Sequence, residues 1–172
     1  MSQVPDTDTR SAPAPTPKAP MTSRTVWRGG MAFDAALDGF AVPIDADAEL
    51  GGVGHGPRPK GLMLVALCGC TAMDVAAILA KMKIQPDTFE VSAEATLTAT
   101  HPKVFDHIEL RYDFTGADLP ADKLQRAVIL SQEKYCGVSA MLRPVVQLSR
   151  TIYINGALHC RKEDPPPVAS PS

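Results

Sequence analysis

Apolar and polar residues alternate without a break over residues 89–99, with Phe89, Val91, Ala93, Ala95, Leu97 and Ala99 on one face and Glu90, Ser92, Glu94, Thr96 and Thr98 on the other. A period of two predicts a strand with one face on a core and the other in water. Ile108, Leu110, Tyr112 and Phe114 continue the alternation against Glu109, Arg111 and Asp113, so an antiparallel pair is expected, with His101 and Pro102 in the connection. Nearer the N-terminus, segments 25–28 and 31–37 flank Gly29 and Gly30, and a second pair flanks Asp38 and Gly39. Both dipeptides suit two-residue turns, which predicts a β-meander. Val146, Leu148, Ile152 and Ile154 alternate as a last strand.

Between these segments the pattern changes period. Residues 61–80 are apolar almost throughout and follow Pro57 and Pro59, which suit a helix entry where a missing N–H is harmless, so a helix is expected over 59–83. Thr71 and Asp74 interrupt it. An aspartate near the middle of a bilayer costs about 2.5–3.5 kcal/mol on insertion scales, so a buried helix is expected and not a membrane span. Asp118, Leu119, Pro120 and Asp122 mark a second helix start, and Leu124, Ala127, Val128 and Tyr135 carry helical spacing after it. Residues 138–142 suit a third, short helix. Strands, long helix, strands, helix and strand in this order predict an α+β domain with helices on one side of an antiparallel sheet.

The ends differ from the middle. Residues 1–21 and 161–172 are rich in Pro, Ala and Ser with no apolar period, and are expected to be disordered tails around a folded domain at 22–160. A net charge of −2 with scattered Lys and Arg lacks the basic stripe of a nucleic-acid binder. The first residues carry no apolar signal region, and a cytoplasmic location is expected.

Four cysteines in a reducing compartment are buried thiols, metal ligands or redox groups more often than structural disulfides. At ~100° per residue, Cys68 and Cys70 point about 200° apart on the long helix, so they cannot pair or share a metal. Cys70 shares its face with Ala66, Asp74 and Ala77. Cys136 falls where one helix gives way to the next, so backbone N–H groups, a helix dipole and the nearby Lys134 are expected to favour its thiolate. His55, His101, His107 and His159 have no ligand spacing, and neither a metal nor any other cofactor is expected. The glycine run 51–56 lacks the Lys-Ser/Thr ending of a phosphate loop, and a mobile loop is expected there.

Three local sequences go further: Gly54, Gly56, Pro57 and Pro59; then Leu67, Gly69, Cys70, Thr71, Ala72, Met73, Asp74 and Val75; then Leu130, Ser131, Glu133, Lys134, Tyr135, Cys136, Val138, Ser139 and Ala140. In this order they resemble the OsmC/Ohr family (osmotically inducible protein C-like), and within it the YhfA-like branch, over residues 22–154. The resemblance implies an OsmC-like fold of antiparallel sheets with two central helices, and an intertwined homodimer with active sites at the subunit interface. In peroxidase members, the cysteine matching Cys70 attacks a hydroperoxide and the one matching Cys136 condenses with the sulfenic acid. A dithiol such as dihydrolipoamide then reduces the disulfide.

The chain departs from that pattern at Gly61, where the peroxidase members carry the glutamate that holds an activating arginine. No arginine stands at a matching place, which leaves Arg28, Arg58 and Arg150 as candidate cations. Two readings therefore stay open. One is a thiol-dependent peroxidase acting in oxidative stress on organic hydroperoxides through Cys70 (peroxidatic) and Cys136 (resolving). The other is a non-catalytic member of the fold that binds a small apolar ligand at the dimer interface.

Overall fold

The computed structural model of the chain describes residues 19–167; the parts of the expected tails at 1–18 and 168–172 lie outside them. Within the stretch read as one domain, the chain falls into two compact units, one ending at Gly56 and the other beginning at Pro57.

The first unit is the expected meander: β1 (Ser23–Gly29), β2 (Ala32–Leu37) and β3 (Phe40–Ile44) pair antiparallel in that order. Asp38 and Gly39 turn between β2 and β3 with φ of 51° and 83°, a conformation that only such residues adopt cheaply. After β3 the glycine-rich loop is pinned, contrary to the mobile loop expected from its composition. Asp45, 2% exposed, accepts backbone N–H bonds from Ala46 at 2.8 Å, Val53 at 2.8 Å and His55 at 3.0 Å. These donors hold its carboxyl below the ordinary 3.8, and they are spent on a side chain of the protein itself, which removes the phosphate-loop resemblance physically. The glycines have a steric reason, since a Cβ at Gly52 or Gly56 would collide with the carbonyls of Ala46 and Pro43.

The second unit carries α1 (Gly61–Lys81), β4 (Thr88–Leu97), β5 (Phe105–Thr115), α2 (Ala121–Leu130), α3 (Gly137–Leu142), β6 (Gln147–Ile154) and β7 (Ala157–Glu163). The sheet order is β4-β5-β6-β7. β4 and β5 pair antiparallel as expected, with Phe89 opposite Phe114 and their rings stacked at 4.6 Å. Two features correct the expected antiparallel sheet with β6 as its last strand. β6 runs parallel to β5, because the helices α2 and α3 make a crossover long enough to return the chain in the same direction. A further strand, β7, follows through Asn155 and Gly156 and continues to Glu163, past the expected domain boundary at Cys160.

α1 packs through one stripe. Leu67, Thr71, Val75 and Leu79, at the i, i+4 spacing of a single helix face, are buried against a core that includes Leu110, Tyr112, Leu124 and Val128. The opposite face stays open, with Val65 66% and Met73 70% exposed. By length and a mean hydropathy of 2.2 the helix would pass for a membrane span, yet its polar Thr71 lies in the packed stripe, where it is hydrogen-bonded. The expected buried helix is thus buried on one side only.

Candidate functional site

Cys70 and Asp74 stand one turn apart on α1, so the helical repeat brings both side chains to one face. Cys136 arrives from the other side of the core as the N-cap of α3. The Sγ atoms of Cys70 and Cys136 and a carboxylate oxygen of Asp74 all lie within 4.8 Å of one another. Cys136 is buried and the other two are half-buried. All the cysteines are free thiols. A disulfide needs its sulfurs at about 2.05 Å, so these sulfurs would have to close by less than about 3 Å to form one.

The segment before Cys136 is wound as a π-helical turn, Ser131–Tyr135, which continues α2 and ends in the extended backbone of Cys136. Such turns recur at functional sites, and this one aims Ser131 and Gln132 into the core. Ser131 Oγ donates to Asp74 Oδ2 at 3.0 Å, Thr71 Oγ1 lies 2.8 Å from Ser131 Oγ, and Tyr112 OH lies 2.8 Å from Thr71 Oγ1. Each hydroxyl has one proton, so once Ser131 gives its proton to Asp74, Thr71 donates to Ser131 and Tyr112 to Thr71. Gln132 is buried as well, and its Oε1 accepts from Arg150 Nη1 at 2.8 Å. A chain of donors therefore runs from Tyr112 through Thr71 and Ser131 to the carboxylate of Asp74, every link pointing towards the anion.

The electrostatics of Cys136 oppose the expectation. Burial pushes its thiol above the ordinary value and outweighs Ser139, whose hydroxyl and backbone N–H, the latter 3.4 Å from Sγ, favour the thiolate; neighbouring Cys70 raises it further. Lys134 does not help, because its Nζ lies over the ring of Tyr135 at 5.4 Å. Burial likewise raises Cys68, which faces a groove of about 460 Å³ between α1 and β4 together with Leu64, Val91 and Ala93. Burial also holds the Tyr112 phenol well above its ordinary range, so it stays a proton donor.

Among the candidate cations, Arg28 pairs with Asp34 at 2.6 Å, and Arg58 is exposed. Arg150 is buried and approaches Glu133 at 3.8 Å, besides its bond to Gln132. Gly61 has open space where a side chain would begin. Three of the four histidines are engaged elsewhere: His55 with Asp34, His107 with Ser149 and His159 with Gln125. Among the described residues, the potential metal-ligand group is thus the pair of sulfurs with Asp74, and spacing alone had not brought Asp74 to Cys136. Thr71, Ser131, Gln132 and Tyr112 were also missed as site residues; the available signal was Thr71 and Asp74, polar residues three apart inside the apolar α1.

A pocket of about 350 Å³ opens at Asp74 of the cluster, lined also by Ala77, Ile78, Lys81, Leu130 and Tyr135. Its walls are mainly apolar.

Comparison with known proteins gives consistent results. The family model described as OsmC-like protein matches residues 52–149. Protein YhfA of Escherichia coli strain K12 is 32% identical over 138 residues, covering 80% of this chain and all of that protein. A hypothetical protein from Aquifex aeolicus VF5 superposes with a TM-score of 0.68 at 25% identity, over 80% of this chain and 96% of the other. An organic hydroperoxide resistance protein OsmC from Legionella pneumophila shares the fold with a TM-score of 0.61 at 20% identity, over 81% and 98%.

Proposed function

This chain belongs to the OsmC-like protein family, and on that premise we propose that it is a thiol redox protein that reduces organic hydroperoxides through Cys70 and Cys136. The observation that carries the reading is the approach of the two sulfurs within 4.8 Å, from cysteines far apart in the chain. The hydroperoxide resistance described for a protein of the same fold supports the substrate class.

The chemistry balances in three steps. The Cys70 thiolate attacks the distal oxygen of the hydroperoxide, the O–O bond breaks, sulfur keeps that oxygen as sulfenic acid, and the departing alkoxide leaves as alcohol with the proton the thiol gave up on ionising. Cys136 then condenses with the sulfenic acid, its thiol proton leaving with the hydroxyl as water while the S–S bond forms. A dithiol such as dihydrolipoamide reduces that bond by two exchanges and ends as its own cyclic disulfide. Cys70, half-buried and one helical turn from Asp74 in the pocket wall, suits the attacking role, and the buried Cys136 suits the resolving one. The reading extends to a cytoplasmic homodimer: the exposed apolar face of α1, with Val65 and Met73 on it, is the kind of surface a second copy covers.

The test is turnover of a small organic hydroperoxide with dihydrolipoamide as reductant. Wild type is expected to consume both in equal amounts. Cys70→Ser should abolish consumption, and Cys136→Ser should leave a trappable sulfenic acid after a single turnover. Wild-type turnover no faster than that of Cys70→Ser contradicts the proposal. A second reading, a non-catalytic protein that holds a small apolar ligand, is favoured by the mainly apolar pocket at Asp74, Ala77 and Ile78. It requires the thiols to survive hydroperoxide unchanged.

A further inference from the structure

Two sulfurs and one carboxylate oxygen converge beside Cys70, and the carboxylate has no counter-ion: among the described residues Asp74 accepts from Ser131 and makes no ion pair. We propose that Cys70, Asp74 and Cys136 form a binding site for Zn2+ in the reduced protein. The inference shares its sulfurs with the redox reading but needs no step of that reaction.

The geometry supports three ligands. Cys70 and Asp74 are at i and i+4 on α1, a spacing at which one helix face can offer two donors to one ion. Cys136 supplies the third from the start of α3. In a tetrahedral zinc centre with 2.3 Å Zn–S bonds the sulfurs stand about 3.8 Å apart, so sulfurs already within 4.8 Å need about 1 Å of closure at most. Zinc accepts thiolate and carboxylate together, whereas the two sulfurs disfavour Mg2+ and Ca2+.

The surroundings are those of metal ligands. A ligating carboxylate is commonly oriented by a hydrogen bond, and Ser131 supplies one to Asp74 Oδ2, itself backed by Thr71 and Tyr112. The Cys136 sulfur accepts the Ser139 N–H at 3.4 Å, which suits a thiolate ligand. Binding would release one proton from each thiol and leave the fourth coordination position to water. The same sulfurs cannot be in a disulfide and on an ion, so zinc and hydroperoxide compete for one state of the protein.

The experiment is an anaerobic titration of the reduced full-length chain with Co2+, followed by displacement with Zn2+. One Co2+ per chain is expected, with thiolate-to-cobalt charge-transfer absorption that Zn2+ removes. Cys70→Ser and Cys136→Ser should each abolish that band, and Asp74→Ala and Asp74→Asn should each weaken Zn2+ binding at least tenfold. Ser131→Ala should weaken it by about tenfold, while Cys68→Ser should leave it unchanged. Absence of the band, its survival in Cys70→Ser, or a Zn2+ affinity indifferent to both Asp74 substitutions would overturn the inference. A chain that forms the Cys70–Cys136 disulfide with hydroperoxide yet binds no Co2+ sinks the zinc site and leaves the redox reading standing. Co2+ binding in a chain that forms no such disulfide supports the site and sinks the redox reading.

Discussion

Asp45 shows how much a single side chain can organise. Its carboxylate collects three backbone N–H groups and turns a glycine-rich stretch into a defined loop, and those donors hold its pKa below the ordinary 3.8. The sign of the linkage follows: a carboxyl with a depressed folded value contributes stability that is complete above the unfolded value and is lost as pH falls through the folded one. Asp45→Asn should therefore be less stable than wild type near neutrality, with the gap closing below pH 3.8, as read from denaturant unfolding across a pH series. A gap that stays constant with pH would contradict this account. The thiols were partly legible at the same scale. Residue type and neighbours singled out Cys70 and Cys136, but the effect of burial on Cys136 was not, because desolvation depends on packing that no local window shows.

The helix α1 carries both the core stripe and the site, and its mixed role shows in Thr71. That hydroxyl joins Tyr112 and Ser131 inside an apolar core, where an orphaned partner costs about 1–3 kcal/mol. Thr71→Val should lower unfolding stability by about that amount in denaturant melts, whereas Met141→Ala, 70% exposed on α3, should change it by less than about 0.5 kcal/mol. Equal effects would mean that the hydrogen-bonded chain adds nothing to packing. Strong periods were readable as elements: β4, β5 and α1 fall within two residues of their expected places at most ends, because alternation and long apolar runs are local signals. β7 escaped, since 157–163 has no clean alternation and lies at a sheet edge, mostly exposed. The Asn155-Gly156 turn, with φ of 50° and 79°, was the available clue. The π-helical turn before Cys136 also escaped, because nothing in the spacing of Ser131, Gln132 and Glu133 separates it from continued α-helix. The parallel pairing of β6 is set by the crossover, a feature of topology that strand periodicity does not encode.

At the scale of the whole molecule, the proposed dimer rests on the apolar face of α1, where Val65 and Met73 stand exposed. Analytical ultracentrifugation should find a dimer, and Met73→Glu should shift the distribution towards monomer by placing a charge in that face; a wild-type monomer at high concentration would contradict the assembly. The redox account itself turns on one event, the joining of two sulfurs that the structure holds within 4.8 Å. Intact mass with peptide mapping, taken after one equivalent of an organic hydroperoxide meets the reduced, metal-free chain, tests it most directly. The account predicts a loss of two hydrogens and a single cross-linked peptide pair containing Cys70 and Cys136. Unchanged thiols, or oxidation at Cys70 that stops at sulfinic acid with Cys136 still free, would contradict it.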